Sequence, residues 1–443
     1  MTRRDIKYST IGLVLFSSVL AVVLLVVPYF RLKREAGKQE GMAEAGVHWL
    51  DTLSNAASSQ SSMKGVDADI ERYMYRRSLQ GVSFAVSRND SLLYAKGYGW
   101  ADKEKGEKMT PGHIMRIASA SKLVTAIAVM KLAEQGKLKL TDRVFGPGGI
   151  LDREDFNSEI RDKRIYDITV YDLLLHRGGF GRNLGDPLFT TRDIIAQNKL
   201  STPPDADELT RIVLRRRLSY TPRSGRRYSN YGYLVLSMIV EKASGMEYEK
   251  YVAENMLGQI GPRGMRMATN YYEQKYPEEV RYYTETRDLV EEFTGSGRMV
   301  PPIYGGSDYH ALSGAGGWCT SAAALSLMVA MVDKHPGIPD ILRPSTIDLM
   351  TSYSEKEKLA AGWSSTDEHG RWERTGTLAS THTLIERFPD GDCWIIITNT
   401  GSLVGSRISH ELSRLVENMR ARYSDSLPRQ NLFEHRDVIR QAK

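Results

Sequence analysis

Apolar positions along this chain fall into three kinds of run. The first is unbroken. Residues 11–30 hold no charge, and about 20 apolar residues suffice to cross a bilayer. The run ends Pro28-Tyr29-Phe30-Arg31 without a small-x-small cleavage site, so it predicts a retained signal anchor rather than a removed leader. Arg3, Arg4 and Lys7 precede it; Arg31, Lys33 and Arg34 follow it. That balance leaves orientation to the downstream domain, which translocates largely regardless of charge. The expectation is a cytoplasmic segment at 1–10, one crossing of the inner membrane at 11–30, and the bulk of the chain outside the cytoplasm. Residues 31–65 are polar and rich in Ala, Gly, Ser, Glu and Lys, which predicts a stalk.

The second kind of run is short and β-rich. Residues 81–87 and 91–99 flank Arg88-Asn89-Asp90 and predict a hairpin. Residues 372–377, 381–388 and 393–399, with a turn at Pro389-Asp390-Gly391, predict an antiparallel meander. The third kind is helical. Residues 70–79 form a short example. Ser119 leads into Leu123, Val124, Ile127, Met130 and Leu132, and the run stops at Gly136. Residues 168–176 close at Gly178-Gly179, and residues 234–243 stop at Gly245. Another helix follows Gly314, capped by Thr320 or Ser321. The last helix carries Ile408, Leu412, Leu415, Val416 and Met419 on one face, suited to packing on the predicted sheet. A long stretch, 270–309, is rich in Tyr, Glu and Arg; its tyrosines either line a binding cleft or belong to a surface loop. The globular domain is expected over 66–422, with a loose polar tail at 423–443.

Composition removes some function classes. With 443 residues and 41% hydrophobic content the chain buries a large core. A net charge of +6 is mild and dispersed; Arg215-Arg216-Arg217 is too short a cluster to argue for nucleic acid. Two cysteines, Cys319 and Cys393, exclude a disulfide scaffold or a cysteine metal site; they leave room for one disulfide, but their apolar surroundings favour two buried free thiols. Nine scattered histidines without HExxH give no metal signal, and no cofactor is expected.

Candidate chemistry starts at Ser119. Lys122 follows at i+3, one helical turn away on the same face. A serine hydroxyl becomes nucleophilic when a neighbour takes its proton, and a lysine does so once burial or nearby cations lower its pKa. Free N–H groups at a helix start also stabilise an oxyanion. Alone the pattern reads better as an ordinary capped helix: on the order of one or two Ser-x-x-Lys matches occur by chance in such a chain. Ser61-Ser62-Met63-Lys64 is one, in a polar stretch with no apolar helix behind it. A second motif, Tyr228-Ser229-Asn230, places a phenol and a carboxamide two apart in an extended segment. By itself it reads as a Tyr-rich turn. A third, Arg374-Thr375-Gly376-Thr377, lies on the first strand of the meander.

In this order and at this wide spacing, the three motifs resemble those of the serine β-lactamase and penicillin-binding superfamily. Tyr-x-Asn in second place is similar to the branch that holds class C β-lactamases, D-alanyl-D-alanine carboxypeptidases and related esterases. The resemblance implies an α+β fold: an antiparallel sheet flanked by helices, with an inserted all-helical subdomain and the site between them. It implies Ser119 as the acylated nucleophile, Lys122 and Tyr228 sharing proton transfer, and Asn230 contacting a substrate amide. It further implies an oxyanion hole from the N–H groups of Ser119 and Thr377, and Arg374, with Thr375 and Thr377, on the substrate side. Arg374 departs from the family, which usually has Lys or His there; Arg keeps the charge but never yields its proton. The residues after Gly376 also lack the usual further glycine. The implied activity is that of a membrane-anchored serine hydrolase acting through an acyl-enzyme on a small-molecule or peptide substrate: a D-amino-acid peptide, a β-lactam or a small ester. The competing expectation is a non-catalytic relative, a ligand sensor or scaffold on the same fold.

Overall fold

The computed structural model describes residues 48–181, 185–353, 360–402, 404–405 and 407–436. The apolar run at 11–30 lies outside the described residues, as do the segment before it and the first part of the expected stalk. Among the described residues no helix is long and apolar enough to cross a membrane.

In chain order, the elements that build the site are α1 (Lys64–Arg76), the hairpin β1 (Gly81–Arg88) and β2 (Ser91–Asp102), β3 (Glu107–Lys108), α2 (Ser121–Glu134), α3 (Asn230–Ser244), the short α4 (Ser313–Gly316), α5 (Ala322–Ala330), β4 (Ser365–Thr366), β5 (Trp372–Leu378), β6 (Thr381–Arg387), β7 (Asp392–Thr398) and α6 (Arg407–Tyr423). The strands form one seven-stranded antiparallel sheet in the order β3-β2-β1-β7-β6-β5-β4. The first hairpin turns at Asn89 and Asp90, both with positive φ (48° and 61°), the backbone that a tight hairpin requires. The first and last major strands meet at the centre, Val82 opposite Thr398 through to Arg88 opposite Asp392.

Alternation along β1 explains how the sheet is covered on both faces. Val82, Phe84 and Val86 point to one side, where they join Leu384, Trp394 and Ile396 under α1 and α6. From α6 the expected stripe of Ile408, Leu412, Leu415, Val416 and Met419 is buried there, each side chain contributing about 1.5–3 kcal/mol. The small residues Ser83, Ala85 and Ser87 face the other way and admit the alanine-rich α5. Ser83 Oγ accepts from Ala322 N at 3.3 Å, and Ser87 and Ser326 hydroxyls meet at 2.8 Å. Ser321 caps α5, accepting from Ala324 N at 3.1 Å.

Between Arg116 and Met265 the described chain carries helices and turns but no strand of either larger sheet. This is the helical layer expected from the sequence. Its central helix α3 starts where Ser229 Oγ accepts from Gly232 N at 3.0 Å and stops at Gly245, φ 73°. A three-stranded sheet, Met115–Arg116, Trp318–Thr320 and Met265–Met267, ties this layer to α5. Both cysteines are buried free thiols.

Three expectations need correction. Part of the expected stalk is packed: Trp49, Leu50 and Leu53 are buried in the main core, and Trp49 Nε1 donates to Ile260 O at 2.9 Å. Part of the expected loose tail is packed too, because buried Phe433 sits edge-on to Trp49 with ring centroids 6.1 Å apart. A few large apolar groups in polar segments suffice to anchor both. Third, the 270–309 tyrosines do not line the cleft described below. Tyr282, Tyr304 and Tyr309 instead surround the guanidinium of buried Arg116, at 4.1, 5.7 and 3.8 Å from their ring centroids.

Candidate active site

Ser119 is presented by a kink. Ile117 N still donates to Trp318 O at 2.9 Å, continuing the short strand Met115–Arg116. Ala118 then adopts φ 50°, a conformation costing a non-glycine residue about 1 kcal/mol or more. The chain makes one 3-10 turn, Ala118–Ala120, and runs into α2. Ser121 is a separate matter: it is buried, and its Oγ accepts from Trp318 N at 3.1 Å. Of these two serines, it is Ser119 that lines the cleft.

Lys122 is fully buried on the first turn of α2. Its Nζ donates to Asn230 Oδ1 at 2.7 Å and to the Ala315 carbonyl at 2.5 Å, and lies 3.4 Å from Ser119 Oγ. Burial drives this ammonium down, the Tyr228 phenol opposes that, and Arg374 adds to it, leaving the group at about 8. A neutral amine has two N–H bonds and one lone pair. Asn230 and Ala315 are two fixed acceptors for the N–H bonds, which turns the lone pair toward Ser119. The Ala315 carbonyl comes this close because α4 is built from small residues: a Cβ at Gly314 would stand 2.8 Å from Thr125 Oγ1 and 2.9 Å from Tyr233 O.

Tyr228 reaches the same hydroxyl from a remote part of the chain. Its phenol oxygen is 2.7 Å from Ser119 Oγ, and its ring lies 4.7 Å from Lys122 Nζ. Burial pushes the phenol up, but the Lys122 and Arg374 cations outweigh that and bring it down to about 8. His176 holds the segment: its ring packs 4.5 Å from that of Tyr228, and its Nδ1 accepts from Ser229 N at 3.2 Å. Asn230, on the first turn of α3, is bidentate in effect. Oδ1 accepts from Lys122, and Nδ2 donates to Asp186 Oδ2 at 2.7 Å.

The third motif lies along β5. Gly376 is required by close approach, because a Cβ there would be 2.3 Å from Ile117 O and 3.1 Å from Ser119 N. Thr375 N donates to Ser364 Oγ at 3.0 Å, on the side away from β6. In an antiparallel pair, backbone groups two residues apart point the same way, so the Thr377 N–H also faces away from β6, beside Ser119. Thr375 and Thr377 both line the cleft. Arg374 departs from the expected placement. It is 2% exposed, and its Nε donates to the Ser119 carbonyl at 2.8 Å, with Nη2 on the same oxygen. Two of its three nitrogens thus brace the nucleophile's backbone instead of reaching for a substrate carboxylate.

Ser119, Tyr228, Asn230, Arg374, Thr375 and Thr377 share one cleft of about 440 Å³, walled further by Asp186, Phe189, Leu312 and Leu378, with Lys122 buried behind Ser119. Ser119, Lys122, Tyr228, Asn230, Arg374, Thr375 and Thr377 are all brought together, over a sequence span of more than 250 residues. Two participants carry no readable local signal. The Ala315 carbonyl is backbone, and Asp186 sits in Gly185-Asp186-Pro187, a stretch that reads as a plain turn. Chemically, the cluster pairs a hydroxyl with a depressed amine and a depressed phenol, beside N–H groups suited to an oxyanion.

Comparison with known proteins agrees with this geometry. The family model described as Beta-lactamase matches residues 66–389. The chain is 24% identical over 220 residues to Protein flp of Staphylococcus aureus (strain MW2), covering 49% of this chain and 41% of that one. It is 29% identical over 221 residues to Esterase EstB of Burkholderia gladioli, covering 49% and 54%. The match thus spans about half, or less, of those relatives' length. Among solved structures, the D-amino acid amidase from Ochrobactrum anthropi SV3 complexed with L-phenylalanine amide superposes with a TM-score of 0.60 at 19% identity, covering 82% of this chain and 99% of that one, a likeness of fold. Motifs, fold, cleft and a family match across most of the sequence converge: the chain belongs to the β-lactamase family.

Proposed function

We propose that this protein is a serine hydrolase that opens amides or esters through an acyl-enzyme on Ser119. The observation carrying the reading is the contact of Ser119 Oγ with Tyr228 at 2.7 Å beside buried Lys122. As Ser119 Oγ attacks the substrate carbonyl, its proton passes to the Tyr228–Lys122 pair, whose lowered pKa values suit a base near neutral pH. The N–H groups of Ser119 and Thr377 receive the developing oxyanion. The C–N or C–O bond then breaks, and the pair returns the proton to the leaving amine or alcohol. Water attacks the acyl-enzyme in a second cycle with the same groups. D-Amino-acid peptides, β-lactams and small esters are the candidate substrates, in keeping with an esterase and a D-amino acid amidase among the similar proteins.

The apolar run at 11–30 supports a further part of the proposal, a single-pass anchor in the inner membrane with the catalytic domain outside the cytoplasm. A periplasm-active reporter fused after Lys64 is expected to be active; a silent fusion reverses the orientation.

The chemical test is intact mass after treatment with a fluorophosphonate. One adduct per chain is expected, and none in S119A. Absence of any Ser119-dependent adduct shifts the reading to a non-catalytic sensor or scaffold on this fold.

A further inference from the structure

Charge in the cleft is arranged in an unusual way. Among the described lining residues the single guanidinium, Arg374, is buried and turned onto the Ser119 carbonyl. Among the described lining residues there is a single carboxylate, Asp186. Asp186 Oδ1 accepts from Leu188 N at 3.1 Å and Oδ2 accepts from Asn230 Nδ2 at 2.7 Å. A carboxylate offers about four acceptor positions, so both oxygens keep capacity for a further donor. The group is partly exposed and joined to the nucleophile's amine through one side chain, because Asn230 Oδ1 takes the Lys122 hydrogen bond. Any substrate seated at Ser119 therefore lies within reach of this negative charge. Phe189, 44% exposed, and Leu312 and Leu378 give the same cleft apolar surface.

We infer that Asp186 selects the substrate: it binds a protonated amine carried close to the scissile carbonyl, so that the preferred acyl donors are amides or esters of amino acids with a free amino group and an apolar side chain. This rests on the acyl-enzyme reading above and narrows it. An ammonium donates to the open positions of the Asp186 carboxylate, and the like-charged carboxylate of an anionic substrate is repelled. Arg374 is turned away from such a carboxylate, because two of its three nitrogens are held by the Ser119 carbonyl. The alternative is that Asp186 only caps its own turn through Leu188 N and orients Asn230, and through it Lys122.

The test is competition against fluorophosphonate labelling of Ser119 in the full-length protein, which reads acylation whether or not turnover is fast. The competitors are both enantiomers of phenylalanine p-nitrophenyl ester, each with a free amine and as its N-acetyl derivative. The better free-amine enantiomer should protect Ser119 at about ten- to a hundred-fold lower concentration than its N-acetyl partner, the worth of a hydrogen bond to a charged group. In D186N that ratio should fall toward one, and in D186E it should largely persist. A ratio of one or below in the unaltered protein overturns the inference, as does a ratio that survives in D186N. Failure of every ester to compete overturns it as well. These outcomes all presuppose labelling; if Ser119 takes no label at all, it is the acyl-enzyme reading itself that fails.

Discussion

Arg374 Nε donates to the carbonyl oxygen of Ser119 at 2.8 Å, so the cation of the third motif is fastened to the backbone of the first. The guanidinium fork both fixes the kink that presents Ser119 and places a positive charge beside Lys122 and Tyr228, lowering the pKa of each. Replacement by Met removes both effects. R374M is expected to lose about 1.5–3 kcal/mol of stability, the value of a hydrogen bond from a charged group. Its labelling rate should also need a higher pH than the unaltered protein, since both pKa values rise. Thermal melts and a pH–rate profile measure the two parts. An unchanged acid limb would separate Arg374 from the proton-transfer pair.

The pH dependence of the reaction follows from that pair. Lys122 and Tyr228 titrate together, so the profile reports the dyad and not either residue. Ser119 labelling should rise through about pH 8 as the pair gives up a proton. K122R keeps the charge but never yields its proton, and should reduce the rate by about 100-fold or more. A K122R protein that labels at the original rate would remove Lys122 from the mechanism.

Gly376 sets the distance between β5 and Ser119. In G376A the new methyl meets Ile117 O and Ser119 N, which are backbone atoms and yield only if the strand moves. A displacement near 1 Å at such a site costs on the order of 100-fold in rate. G376A is expected to fold, since the remainder of the sheet is untouched, yet to label with that deficit. Circular dichroism together with labelling kinetics checks both halves.

His382 supplies an acid-sensitive element in the sheet. It is 1% exposed; its Nε2 accepts from Ser402 N at 3.2 Å, and its Nδ1 lies 3.4 Å from Thr377 Oγ1. Burial pushes its pKa from 6.5 to about 4. Between those values the unfolded chain binds a proton that the folded one refuses, so stability falls as pH drops. The loss approaches about 3 kcal/mol by pH 4. Denaturant titrations at pH 7 and pH 4.5 should show a smaller gap in H382Q than in the unaltered protein.

Trp49 and Phe433 make the boundaries testable. W49A should cost about 3–5 kcal/mol, as for other buried aromatic truncations. A fragment cut at 66 and 422, where the sequence pattern places the domain, should melt well below one spanning 48–436. Equal melting temperatures would show that these flanks add nothing.

Those boundaries also show what sequence reading captures. Ser119 and Lys122 are legible because a helix brings i and i+3 together locally. Tyr228 and Asn230 are legible only through their order relative to the other motifs, since nothing local distinguishes them from a turn. The sheet is readable from β1, β2 and the meander, where alternation and turn residues coincide. What escapes has a common cause. Ala315 acts through a carbonyl that every residue possesses. Asp186 matters for where its turn lies, and Arg374 for which of two acceptors its fork meets. Trp49, Leu50 and Phe433 are isolated apolar groups in polar windows, and windowed composition averages them away. Each depends on a tertiary neighbour that no stretch of sequence contains.

The central pairing of β1 with β7 has a consequence for biogenesis. A ribosome must release the chain to residue 398 before the middle of the sheet can zip, although the opening hairpin emerges some 300 residues sooner. Throughout that interval Val82, Phe84 and Val86 have α1 beside them but lack Leu384, Trp394, Ile396 and α6. A holding chaperone would meet its client as a part-covered early hairpin, and the surroundings of the nucleophile would be completed only after β5 and β7 had emerged.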